Sequence, residues 1–199
     1  MDFLIPNPKC ELNYTKDYEL LLATMLSAQT TDKRVNSVTS ILFKRYPTLG
    51  ALSMASLDDV ISIIKPIGTF NKKASNVIII SKELLLIGGF VPNDRVFLES
   101  LPGVGRKTVN VVLSNLYDEP LIAVDTHVAR VSVRLGIAQD GDDVLEIEKK
   151  LNCLFPKDRL CRLHHQLVLF GRYYCKAVKP ECMNCKLKDL CREKKKNLD

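Results

Sequence analysis

The residues able to do chemistry in this chain are a lysine behind a glycine turn, an aspartate further on, and four clustered cysteines. The lysine lies in Leu101-Pro-Gly-Val-Gly-Arg-Lys-Thr-Val-Asn110, and Asp125 stands eighteen residues after Lys107. Gly103 and Gly105 bracket one apolar residue, Val104, and an apolar helical run from about Arg106 to Leu116 follows at once. Glycine lets the backbone turn tightly, with no Cβ in the way. A helix start leaves its first N–H groups without intrahelical acceptors, at the positive end of the helix dipole, and so forms an anion site. The pattern GxxxxGK[ST] is absent, which excludes the phosphate loop of a nucleotide-binding protein. A short glycine turn between helices, with Lys107 at the next helix start, suits a DNA phosphate instead.

Cys175, Cys182, Cys185 and Cys191 are separated by six, two and five residues, so four of the seven cysteines fall within seventeen positions. Structural cysteines scatter as small apolar residues, and packing needs no such cluster. Four thiolates in one short loop imply a soft metal centre. The chemistry leaves tetrahedral zinc and an iron–sulfur cluster both open. Zinc ribbons carry two tight CxxC pairs, whereas one CxxC flanked by wider gaps leans toward the bulkier cluster. Cys10, Cys153 and Cys161 read as buried packing residues.

These groups must be positioned by helices. Apolar residues at Tyr18, Leu21, Leu22, Met25 and Leu26 repeat with the helical period, which predicts a helix from Lys16 or Asp17 to Ala28. Thr31 or Asp32 caps the next, which runs to Tyr46 and is ended by Pro47. Further helices are predicted at Leu57–Ile64, Asn71–Ile87, Asp94–Leu98, Val124–Leu135, Asp143–Leu154 and Leu160–Tyr173. Val77–Ile80 is β-branched, but its flanks favour one buried helix over a strand. The fold class is all-α.

The 199 residues carry a net charge of +6, and its location matters more than its size. Residues 157–199 hold 12 Lys and Arg against 5 Asp and Glu, whereas the rest of the chain is near neutral, at net −1. A basic segment of this kind attracts polyanions by a salt-sensitive, sequence-independent force. No run reaches the length of a membrane span, and no secretory leader precedes the first helix, so an intracellular, cytoplasmic protein is expected.

Several segments together resemble the endonuclease III family, bifunctional DNA glycosylases of the helix-hairpin-helix superfamily. They are Leu101-Pro-Gly-Val-Gly-Arg-Lys-Thr108, Ala123–Val131, His164–Cys175 with the cysteine spacing that follows, Leu26–Asn36 and Ile67–Ala74. The resemblance runs from about Tyr18 to Arg192. It implies two helical lobes flanking a DNA groove. One is a six-helix barrel with the hairpin, residues 10–119. The other joins residues 1–9 to 120–199 and holds a 4Fe-4S cluster on Cys175, Cys182, Cys185 and Cys191. The implied partner is double-stranded DNA containing damaged pyrimidines or abasic sites, bound by a monomer, with the damaged base flipped out of the stack because its sugar cannot be reached there.

The resemblance also implies roles. Lys107 is the nucleophile at the sugar C1′ and Asp125 the acid that stabilises developing positive charge. Only an unprotonated amine attacks, and a helix start with Arg106 beside it disfavours the ammonium form. Asp125 reads equally as a helix N-cap, and one carboxylate can do both. Gln29 matches a glutamine that fills the gap left by the flipped base. Gly103, Val104, Gly105, Arg106, Thr108 and His127 are the remaining expected DNA contacts. Asp32 reads as a pocket acid or a cap, and His164 as a structural histidine. Thr69-Phe70 departs from the family's leucine and tyrosine, and a threonine is a poorer apolar wedge, so either Phe70 substitutes or the range of lesions differs. Related mismatch glycosylases lack the lysine after the turn. A cluster-bearing DNA-binding module without catalysis is the alternative of a different class.

Overall fold

The computed structural model describes residues 1–198, and every regular element among them is a helix. The chain packs into two compact units, one of residues Cys10–Tyr117 and one of Met1–Lys9 with Asp118–Asp199. The first unit contains α1 (Asp17–Leu26), α2 (Asp32–Arg45), α3 (Leu49–Ser53), α4 (Leu57–Ile64), α5 (Phe70–Leu86), α6 (Arg95–Ser100) and α7 (Arg106–Leu116). The second contains α8 (Thr126–Arg134), α9 (Val144–Leu154), a 3-10 turn at Lys157–Arg159 and α10 (Leu160–Tyr173). No helix among the described residues is long and apolar enough to cross a membrane.

In the first unit α1 is the central helix. The sequence predicts one apolar stripe, but every residue from Tyr18 to Leu26 is buried. The reason is that α1 packs against α2, α5 and α7 at once, so it has no solvent face. Glu19 is buried with its carboxylate spent locally: Oε2 accepts from the Thr15 amide at 2.7 Å, the Thr15 hydroxyl at 2.9 Å and the Lys16 amide at 3.3 Å. These bonds satisfy donors just before the helix, as a capping side chain does. α1 stops at Leu26, two residues short of the sequence expectation, and Ser27–Thr30 closes a turn with Thr30 N–H donating to Ser27 O at 3.0 Å. α3 was not legible in the sequence, because five residues with an internal glycine carry no helical period. Thr48 caps it, its hydroxyl accepting from the Ala51 amide at 3.1 Å. Val77–Ile80 lies inside α5, a helix as the flanking residues require.

The second unit has its own core of Ile122, Val124, Val128, Val131, Ile147, Leu151, Leu163, Leu167 and Phe170. α8 and α10 approach closely at Gly171, where a Cβ would lie 2.9 Å from His127 Cβ and 3.3 Å from His127 Cα. Only glycine lets the two backbones meet there. The N-terminal segment docks through Asp2, which accepts from Arg162 Nε at 2.9 Å and Gln166 Nε2 at 2.9 Å and also pairs with Arg159. Hydrogen bonds from Gln166, Arg162 and Arg159 hold the Asp2 carboxyl well below the usual carboxylate range. Cys153 is exposed rather than packed. It stands two residues after Leu151, on the opposite side of α9 from the buried Ile147 and Leu151. Cys10 and Cys161 are half-buried.

Candidate functional site

The hairpin of the first unit is set by two glycines that differ in kind. Gly103 has φ of +78°, and a Cβ there would lie 2.4 Å from Asn76 Nδ2 on α5 and 3.5 Å from Met25 Cγ at the end of α1. It is a turn residue pressed against its own protein. Gly105 is the N-cap of α7 with an extended backbone, φ −108° and ψ 177°, and a Cβ on it would meet nothing within 4 Å. No side chain caps α7. The space at Gly105 is open, beside the exposed Arg106 and Lys107 and the half-buried Thr108. Val104 is turned inward. Its side chain is buried and its N–H donates to Leu101 O at 3.1 Å, so it contributes to the core and the turn rather than to an outside ligand.

This division gives a test. Gly103→Ala should lower stability by about 2 kcal/mol, because it forces a side chain into a left-handed conformation and against Asn76. Gly105→Ala should cost less than about 1 kcal/mol of stability, the difference between two poor caps. It should nevertheless weaken binding to damaged and undamaged duplexes alike, since phosphate contacts position without reading bases. Thermal unfolding and fluorescence anisotropy at fixed salt measure the two effects. Unchanged affinity in Gly105→Ala would remove the phosphate role.

Gln29 is exposed and left-handed, with φ of 57°. It sits in the Ser27–Thr30 turn at the end of α1. Lys73 of α5 lies beneath this turn, buried, its Nζ donating to Leu26 O at 2.9 Å and Ala28 O at 2.7 Å. Burial pushes the Lys73 ammonium down from the ordinary lysine value. Thr69, the N-cap of α5, is also exposed and left-handed, with φ of 54°. Asp32 is the first residue of α2, and its cap is Thr31, whose hydroxyl accepts from the Arg34 amide at 3.4 Å.

In the second unit Asp125 is the N-cap of α8. Its Oδ1 accepts from the amides of His127 at 2.9 Å and Val128 at 2.8 Å. Both bonds use one oxygen, so the cap is complete without Oδ2. The strand-like approach to Asp125 is fixed from below: Ile122, Ala123 and Val124 are buried, and His164 of α10 donates through Nδ1 to Ala123 O at 3.0 Å. His164 is thus a structural residue that locates the aspartate. Arg130 then joins α8 to the cysteine loop. It donates to Gly171 O at 2.7 Å and to Cys175 O at 3.2 Å, and its Nη2 lies 3.2 Å from His127 Nδ1. Arginine only donates, so His127 accepts at Nδ1 and carries its proton on Nε2.

Cys175, Cys182, Cys185 and Cys191 line one cavity, with Arg134, Phe170 and Leu187 among its other walls. Short turns bring the thiols there: Cys185 N–H donates to Cys182 O at 3.1 Å, and Lys188 N–H to Cys185 O at 3.0 Å. Arg134 spans the rim, donating to Lys176 O at 2.7 Å and to Cys175 Sγ at 3.4 Å and pairing with Glu193 at 3.3 Å. Among the described residues no three His, Cys, Asp or Glu side chains converge tightly enough to hold a single metal ion. The four thiols ring this one cavity. The donor set and the cationic rim fit an anionic thiolate-ligated group. Of the basic residues in this loop, Lys176 pairs with Glu181 at 2.7 Å and Lys186 sits 3.5 Å from the Phe3 ring centroid. Lys179 and Lys188 are exposed.

Lys73, Arg130, Arg134 and Asn76 were not found from the sequence. Their partners lie far along the chain, and although Lys73 falls in the Ile67–Ala74 segment and Arg130 in Ala123–Val131, neither segment names those partners. Arg130 and Arg134 do stand four apart on one face of α8, which is the one signal available.

The model of the "HhH-GPD superfamily base excision DNA repair protein" matches residues 22–157. Endonuclease III of Bacillus subtilis is 47% identical over 194 residues, covering 97% of this chain and 89% of its own. A non-covalent endonuclease III–DNA complex matches with a TM-score of 0.92 at 45% identity, covering 96% of this chain and 90% of that one. A trapped endonuclease III–DNA covalent intermediate matches with a TM-score of 0.91 at 45% identity, with the same coverage. The chain belongs to the endonuclease III family of base-excision repair enzymes.

Proposed function

We propose that this enzyme removes oxidised or saturated pyrimidines from duplex DNA as a glycosylase and then cleaves the strand 3′ to the abasic site as a lyase. The observation that carries the reading is the exposed amine of Lys107 in the first turn of an uncapped helix, directly behind the open approach at Gly105. The existence of a covalent endonuclease III–DNA intermediate supports a nucleophile on the protein.

The steps follow from the two side chains. The Lys107 amine attacks C1′ while the glycosidic C–N bond breaks, and the base leaves with a proton. The carboxylate of Asp125 stabilises the positive charge that develops on the sugar. The nitrogen lone pair then forms the C1′=N bond as the C1′–O4′ bond breaks and O4′ takes up a proton, which gives an open-chain iminium. Removal of a C2′ proton then expels the 3′ phosphate by β-elimination, and water releases the lysine. Amides near Gly105, with Arg106 and Thr108, hold a phosphate of the backbone. His127, protonated on Nε2, is a donor for another. Gln29 fills the gap left by the flipped base.

Cys175, Cys182, Cys185 and Cys191 would hold a 4Fe-4S cluster, whose contribution is negative charge and a fixed loop rather than sugar chemistry. The loop from Cys175 to Cys191 has few apolar residues of its own and several lysines. The protein acts as a monomer inside the cell, on the chromosome.

Borohydride trapping tests the reading. Iron-loaded protein mixed with a duplex containing thymine glycol should form a covalent adduct after reduction and should nick the strand in its absence. Anaerobically purified protein should be yellow-brown with about four irons per chain. Binding without adduct or nick would leave only a DNA-binding module. Stoichiometric zinc without visible absorbance would overturn the cluster and keep the four ligands.

A further inference from the structure

We propose that Lys73 is the positioning residue for Gln29: its buried ammonium fixes the Ser27–Thr30 turn in the conformation that presents Gln29 to the gap in the duplex. The inference rests on the proposed function, because it gives Gln29 a task on duplex DNA.

Three observations converge on it. Gln29 is an exposed non-glycine residue with φ of 57°. Glutamine has no intrinsic preference for that region, so the conformation persists only if its surroundings impose it. The imposing group is visible. Lys73 is only 5% exposed, and its Nζ donates to Leu26 O at 2.9 Å and to Ala28 O at 2.7 Å, the residue before Gln29. Both acceptors lie at the C-terminal end of α1, where the helix dipole favours a cation. A buried lysine without a carboxylate is costly, and a neutral donor or a water could satisfy two carbonyls at the surface of a turn. What the ammonium adds is rigidity. Two charge-assisted bonds from one atom hold the carbonyls on both sides of the turn's first half in fixed relation.

The same residue reaches a second exposed left-handed position, Thr69. Lys73 N–H donates to Thr69 O at 3.2 Å, closing the first turn of α5 on its N-cap. Asn76, one turn further along α5, is the side chain packed against Gly103. The first turns of α5 are thus a common base for the Gln29 turn, Thr69 and the hairpin, and Lys73 is the member that grips the turn.

The test compares two DNAs in single-turnover assays with the iron-loaded full chain. A duplex containing thymine glycol requires flipping and gap filling. A single-stranded abasic oligonucleotide requires only the lysine chemistry. Lys73→Met should slow excision from the duplex by about tenfold to a hundredfold, the effect of an ångström-scale misplacement, and leave cleavage of the single strand within twofold or so. Gln29→Ala should show the same split. In the double variant the two losses should not add, since both remove one function. Equal loss on both DNAs, or full additivity, would overturn the proposal and make Lys73 a packing residue. If Lys73→Met does not fold, Lys73→Arg keeps the charge but displaces the carbonyls with a larger head, and the same split or its absence decides. A wild-type chain inactive on both DNAs would instead sink the functional reading itself.

Discussion

Lys107→Gln is expected to abolish both strand nicking and borohydride trapping while leaving duplex affinity within a few-fold. The substitution replaces an amine with an amide that cannot form an iminium, so the covalent route closes entirely. Little else should change. Lys107 is exposed in the first turn of α7, and the buried face of that helix, Val109 to Ser114, is untouched. The hairpin amides and Arg106 continue to bind phosphate, so anisotropy titrations should move only by the loss of one cation. Trapping in this variant at the wild-type level would discard the assignment and point to another amine.

Asp125→Asn is expected to slow base release by about a hundredfold to ten-thousandfold without destabilising the protein. Asparagine caps helices as well as aspartate does. Its carbonyl oxygen can keep the bonds from the amides of His127 and Val128, now at 2.9 and 2.8 Å, while the negative charge is gone. Asp125→Ala is the useful contrast. It loses charge and cap together and should also cost about 1 kcal/mol of stability. Rapid-quench base release and thermal unfolding separate the two. A near-normal rate in Asp125→Asn would reduce the residue to its capping role.

The parts of this protein that were legible in the sequence are those encoded locally. The hairpin is a run of eight residues, and its glycines, proline and following helix all speak for the same geometry. The cysteine spacing is equally local, and the four thiols line one cavity. Thr31 and Asp125 could be read as caps because a cap and its helix are adjacent, whereas Asp94 and Asp143, read as first helical residues, are the caps of α6 and α9. What was hidden depends on distance along the chain. Lys73 meets carbonyls 47 and 45 residues earlier, and Arg130 meets Cys175 45 residues later. Nothing within either neighbourhood announces such a partner. The two hairpin glycines looked alike for the same reason. Only Asn76, from another helix, makes Gly103 a packing residue and leaves Gly105 open to an outside ligand.

The docking of Asp2 has a consequence for the order of events as the polypeptide emerges from the ribosome. The residues from Cys10 to Tyr117 form a contiguous unit, which can begin to fold before the rest has been made. The other unit cannot close in that way. Asp2 must wait for Arg159 and Arg162, 157 and 160 positions later, so a segment made early is among the last to be seated. Closing so wide a loop is slow and costs entropy, which the cluster of three donors on one carboxylate helps offset. This early segment therefore acts as a latch on a unit whose cysteine loop arrives at the same late stage. Assembly of the thiol cavity and capture of the N-terminal segment should fall in one folding step.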